Sequence, residues 1–161
     1  MKRLHSGLVL VAGFLGAAAA TGYAEHDAST IHRKSDIRET ILRRFFKENH
    51  CPAESYAETF ILEADSHKLD WRLLPSLALV ESGGGQRQRK NNLFGWDNGV
   101  SRFTSVTEAI HHVAQALAEA RPYKGKDTNG KLAIYNKAPE YRQLVLGVMQ
   151  RISPLTVADV L

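Results

Sequence analysis

The stretch Pro139–Ile152, PEYRQLVLGVMQRI, carries the strongest amphipathic pattern in the chain. Tyr141, Leu144, Val145, Val148, Met149 and Ile152 recur at steps of three and four, the spacing that places side chains on one face of an α-helix. Pro139 suits a first helical turn, where no N–H is needed, and Pro154 stops the pattern. Such a stripe needs apolar partners, and the same period recurs upstream. Ile37, Ile41, Leu42, Phe45 and Phe46 trace a helix that starts at an Asp36–Glu39 capping box and breaks at Cys51–Pro52. A second helix is expected from about Ala53 to Lys68, with Tyr56, Phe60, Ile61 and Ala64 on one side. A third, short one has Pro75 in its first turn and ends at Gly83-Gly84-Gly85. Ser105 and Glu108 form another capping box, after which Ile110, Val113, Ala114 and Leu117 make one stripe that Pro122 closes. A short ribbon around Phe94–Phe103 is the one stretch with strand character. The expected fold class is mainly α: a short-helix bundle in one domain from about 36 to 152, followed by a C-terminal tail over 153–161.

Composition agrees with this. The chain has 161 residues, 43% of them hydrophobic and 24% charged, which suits one globular core and excludes wholesale disorder, collagen and a continuous coiled coil. There are no internal repeats. Its single cysteine, Cys51, cannot make an internal disulfide, and nothing beside it in sequence would activate the thiol, so it reads as a small buried hydrophobe.

The first 24 residues read as an export signal. Lys2 and Arg3 precede an apolar run from Leu8 to Ala20, and small residues continue to Ala24. The run is shorter than the ~20 apolar residues of a membrane span, and rich in Ala and Gly. Gly22 and Ala24 fit the small positions before a cleavage point; cutting after Ala20 and an uncleaved N-terminal anchor are the alternatives. Residues 25–35 are polar, lack periodicity and read as a linker. Removing the signal takes away Lys2 and Arg3 and no acid, so the formal charge falls from +4 to +2. The densest basic cluster, Arg87, Arg89 and Lys90, lies in one polar loop without interleaved aromatics, and nucleic acid is not an expected partner. The expected location is outside the cytoplasm, in the periplasm, the cell envelope or the medium.

One carboxylate lies on an apolar face. Glu81 follows Leu74, Leu77 and Ala78 by seven, four and three residues, so it shares their side of the third helix. Lost hydration there disfavours the charged form, and the negative end of the helix dipole pushes the same way. A glutamic acid that keeps its proton near neutrality is what a glycosidase needs to protonate a leaving oxygen. From these residues alone a structurally paired Glu81 is as consistent as a catalytic one. The following Asn91-Asn92-Leu93-Phe94-Gly95-Trp96 adds amides for sugar hydroxyls and N-acetyl groups, and rings for sugar C–H faces. The same segment also reads as a turn with Phe94 and Trp96 plugged into the core.

Leu79-Val-Glu81-Ser-Gly paired with Asn92-Leu-Phe-Gly95 resembles bacterial endo-β-N-acetylglucosaminidases of the peptidoglycan-cleaving type, in the lysozyme-like superfamily. The resemblance runs from about Tyr56 to Ile152. It includes Leu69-Asp-Trp-Arg-Leu-Leu-Pro75, Phe103-Thr-Ser-Val-Thr-Glu-Ala-Ile110, Tyr123-Lys-Gly125, Ile134-Tyr-Asn136 and Pro139-Glu-Tyr141. It implies a lysozyme-like bundle with a cleft, Glu81 as catalytic acid, and Asn92, Phe94 and Gly95 in the loop lining that cleft. Tyr135 and Tyr141 match flanking aromatic positions, and Ser82, Trp96 and Tyr123 complete the expected substrate-binding set. Many relatives carry a longer β-lobe with a second carboxylate after the Asn-Leu-Phe-Gly loop. Here only Trp96 to Thr104 bridges that gap, so the β-lobe is expected to be reduced or absent, and Asp97 is its sole acid and the candidate for activating water. Ala138 stands where the family has an Asp before Pro-x-Tyr.

The implied activity is hydrolysis of peptidoglycan glycan strands at N-acetylglucosamine by a monomer with no stable membrane span after cleavage. With one convincing acid a substrate-assisted route fits. Lytic transglycosylation with the same Glu, and a non-catalytic module that binds cell wall or a protein partner, are the alternatives. No cofactor and no metal are expected. His111 and His112 are adjacent and project about 100° apart on a helix, and His32, His50 and His67 read as exposed. The glycines at 83–85 lack the Lys-Ser/Thr of a phosphate loop, and no Ser sits in a Gly-x-Ser-x-Gly elbow.

Overall fold

The computed structural model describes residues 36–154; the expected signal over 1–24, the linker over 25–35 and the end of the tail, 155–161, lie outside the described residues. Helix α1 (Ile37–Glu48) starts where the Asp36 carboxylate accepts from the Arg38 amide at 2.9 Å. The expected capping box does not close: Glu39 turns instead to Arg43, 2.8 Å away. The expected helix over 53–68 divides into a 3-10 turn, Pro52–Tyr56, and α2 (Ala57–Ser66). Tertiary pairing explains the break, because the Ala53 amide donates to the Gly84 carbonyl at 2.9 Å and pins the turn to the end of the next helix.

That next helix, α3 (Leu73–Ser82), is apolar on almost every side and runs through the interior, with Leu73, Leu74, Pro75, Ser76, Leu77 and Ala78 all buried. Gly83 caps it in the left-handed conformation. At Gly84, φ is +61°, and a Cβ would lie 2.6 Å from that of Cys51, so only glycine lets the chain leave the helix here. Cys51 itself is buried, and loss of hydration pushes its thiol pKa up, as expected of a packed, unreactive cysteine.

The expected ribbon over Phe94–Phe103 is absent. The chain there makes turns and a 3-10 turn, Asp97–Gly99, and the isolated bridge between Arg89 and Asn92 lies just before it. Among the described residues there are no strands, so the fold is mainly α with no β-lobe. Helix α4 (Val106–Glu119) starts at Ser105, whose hydroxyl accepts from the Glu108 amide at 3.0 Å. The Glu108 carboxylate reaches back to the Thr104 hydroxyl at 2.6 Å, which assigns this acid to the cap. Helix α5 (Thr128–Tyr135) has no counterpart in the sequence reading; Asp127 caps it by accepting from the Gly130 amide at 2.7 Å. Helix α6 (Pro139–Ile152) starts at its proline and buries Val145, Val148, Met149 and Ile152, while Leu144 faces solvent instead of joining that stripe. It packs along α3. The buried Arg72 guanidinium donates to the Ser153 carbonyl at 2.8 Å, fastening the chain just past α6. No helix among the described residues is long and apolar enough to cross a membrane.

Candidate active site

Glu81 stands in the last turn of α3, half-buried, where the interior helix meets the turns that follow it. Loss of hydration raises its pKa above the usual carboxylate value; the Tyr141 hydroxyl, donating to Oε1 at 2.5 Å, pulls the other way but less. Oε2 faces Gly95. A Cβ built on that glycine would sit 3.0 Å from Oε2, and φ there is +60°, so both the conformation and the close approach call for glycine.

The carboxyl borders a cleft of about 730 Å³, lined also by Gly95, Trp96, Asp97, Asn98, Gly99, Ser101, Tyr123, Tyr135 and Asn136. That is the size of a site for a drug-sized or disaccharide-scale ligand. Aromatic rings back one wall. Trp96 and Tyr135 lie 5.9 Å apart by ring centroid, and Tyr135 stacks on Tyr141 at 6.0 Å and 10° between planes. His112 supports Trp96 from α4, edge-on at 5.8 Å. The Tyr135 hydroxyl donates to the Phe94 carbonyl at 2.6 Å, tying α5 to the loop. Burial, reinforced by the Glu81 charge, pushes the phenol pKa of Tyr135 well up; burial and the hydrogen bond to Glu81 do the same for Tyr141. Both stay neutral donors.

Glu81, Gly95, Trp96, Asp97, Tyr123 and Tyr135 thus meet at one cleft, and Tyr141 stands behind the acid. Asp97 is exposed, with φ at +53°, on the 3-10 turn. Three residues expected to contact sugar do something else. Ser82 is buried, its hydroxyl 2.7 Å from the Leu93 carbonyl and accepting from the Gly85 amide at 3.0 Å. Asn92 is only 5% exposed. Its amide donates to the carbonyls of Trp96 at 2.9 Å and Ser101 at 3.2 Å, and accepts from the Trp96 amide at 2.8 Å, so both of its N–H donors are committed to the backbone. Phe94 is fully buried in the core. These side chains shape the loop, and beside the two carboxylates and the tyrosines the cleft is lined by Asn98, Ser101 and Asn136, polar residues to which the sequence assigned no role. The Asn98-Gly99 pair is a turn signal, and Asn136 follows Tyr135 directly, but neither pattern by itself points to a cleft.

No family model matches the chain, and no curated protein is significantly similar to it.

Proposed function

We propose that the protein is an exported peptidoglycan hydrolase that cleaves glycosidic bonds at N-acetylglucosamine, working as a monomer with Glu81 as general acid. The observation that supports this most is a carboxyl with a raised pKa, backed by Tyr141, at the edge of a cleft walled by Trp96, Tyr123 and Tyr135. A general acid must hold its proton until the leaving oxygen needs it. Tyr141 occupies Oε1, so the proton belongs on Oε2, beside Gly95 and the cleft. The rings suit the apolar faces of a sugar, and Asn98, Ser101 and Asn136 suit its hydroxyl and amide groups.

Among the described residues, the one other carboxylate lining the cleft is Asp97, and its exposure favours a route with a single protein acid. In that route the substrate's N-acetyl carbonyl oxygen attacks the anomeric carbon, the glycosidic C–O bond breaks, and the leaving oxygen takes the Glu81 proton. The resulting carboxylate then takes a proton from the water that attacks the same carbon and opens the oxazolinium ring. The same solitary acid also serves lytic transglycosylation, in which the muramic C6 hydroxyl replaces water. Residues 1–24 would carry the chain to this substrate.

Digestion of purified sacculi, with the new sugar ends identified by mass spectrometry, tests the reading. Reducing N-acetylglucosamine ends are expected. Anhydro-muramyl ends would assign transglycosylation, and sacculus binding without soluble sugar would overturn the enzymatic reading in favour of a wall-binding module.

A further inference from the structure

A second cluster of chemically capable side chains lies where α2 packs on α4, and none of its members lines the cleft. Glu63 of α2 and His67, the residue that caps it, are four apart and share one face. His111 meets them from α4. Glu63 Oε2 is 2.9 Å from His111 Nδ1 and 3.6 Å from His67 Nε2, and one ligand atom from each of the three residues lies within 4.8 Å of the others. A tetrahedral Zn²⁺ with bonds of about 2.0–2.2 Å holds its ligand atoms about 3.4 Å apart, so the two measured spacings bracket the edge of such a shell. His67 is not the exposed histidine its sequence context suggests: its side chain is only 12% exposed. Its other nitrogen, Nδ1, lies 3.4 Å from Glu119 Oε1. A carboxylate that accepts the other ring N–H fixes the tautomer and ring orientation of a metal-ligating histidine, and Glu119 stands within reach of that role.

We propose that Glu63, His67 and His111 form a binding site for a first-row divalent metal of the Zn²⁺ type, which clamps α2 to α4. Glu119 is its positioning residue. Two imidazoles and one carboxylate suit Zn²⁺, whereas Ca²⁺ and Mg²⁺ prefer oxygen ligands throughout. The side chain of His111 is 56% exposed, which leaves the fourth coordination position open to water. The neighbouring His112 packs on Trp96, so the same turn of α4 would carry both a metal ligand and a support of the cleft wall.

Titration of the tag-free full-length chain with ZnCl₂, followed by calorimetry and thermal unfolding, tests the site. One equivalent of Zn²⁺ is expected to bind and to raise Tm by about 10 °C at a hundredfold excess over Kd. Glu63→Gln and His111→Gln should each weaken binding by about a hundredfold or more, and Glu119→Gln, which keeps all three ligands, by about 10–100-fold. His111 is exposed, so His111→Gln should fold with a metal-free Tm close to wild type and decides the matter even where Glu63→Gln does not fold. A Tm unmoved by Zn²⁺, no stoichiometric binding, or Zn²⁺ bound by His111→Gln as tightly as by wild type would overturn the proposal.

Discussion

The Tyr141 hydroxyl meets Oε1 of Glu81 at 2.5 Å, joining two side chains sixty residues apart in sequence. One belongs to the first turn of α6 and the other to the last turn of α3, so the packing of these two helices sets the environment of the acid. The hydrogen bond favours the carboxylate, while burial favours the neutral acid and prevails. Tyr141→Phe keeps the ring against Tyr135 and removes only the donor. The protonated form gains, and the Glu81 pKa rises further. Activity that needs protonated Glu81 is lost as pH rises through that pKa, so the alkaline limb of the pH–rate profile should move to higher pH. A limb that stays in place or moves down would contradict this role for Tyr141.

The same burial has a consequence for stability. Since the folded-state pKa of Glu81 lies above its unfolded value, the contribution of this group is fully present below the unfolded pKa and is lost as pH rises through the folded one. Above that point folding has to hold a half-buried charge. Glu81→Gln removes the charge and can still accept from Tyr141. Its Tm should exceed that of wild type at pH 7, with the gap closing as pH falls toward 4.5, the ordinary carboxyl value. Thermal unfolding followed by circular dichroism across this range measures the effect; a gap that widens toward acid would contradict it.

Gly95→Ala puts a methyl group 3.0 Å from the Glu81 Oε2 position in a backbone conformation with φ at +60°. The left-handed conformation should cost about 1–2 kcal/mol in stability, measured by urea denaturation. Displacement of the acid should lower the rate on sacculi by about 10–100-fold at a temperature where the variant remains folded. Unchanged turnover would separate this glycine from the site.

Asn92 holds the cleft loop through three hydrogen bonds and is buried, with both N–H donors on backbone carbonyls. Asn92→Ala strands the Trp96 amide and the Ser101 carbonyl, leaves the Trp96 carbonyl with the Gly99 amide alone, and should cost about 2–4 kcal/mol by denaturant unfolding. A variant of wild-type stability with weakened sugar binding would assign Asn92 to ligand contact after all.

Helices α1, α4 and α6 are legible in the sequence because each lays down a periodic apolar stripe, and α4 has its cap written as Ser105 and Glu108. Helix α5 is not. It buries only Leu132 and Lys131, and the lysine is accommodated through the carbonyls of Tyr123 and Lys126, a pairing created by the folded chain. Glu81 is legible because three aliphatic neighbours share its helix face. The fates of Ser82 and Asn92 are not, since whether an amide or hydroxyl serves a ligand or the backbone depends on carbonyls that folding brings to it. The Glu63–His67 spacing is visible in the sequence, but His111 joins it only through the packing of α2 on α4.

Comparison of wild type with Glu81→Gln on purified sacculi tests the central claim most directly. Both proteins should fold and bind the wall polymer, and the variant should release soluble sugar about 10²–10⁴-fold more slowly, the usual contribution of a positioned general acid. Release at the wild-type rate by Glu81→Gln would show that the carboxyl takes no part in bond cleavage.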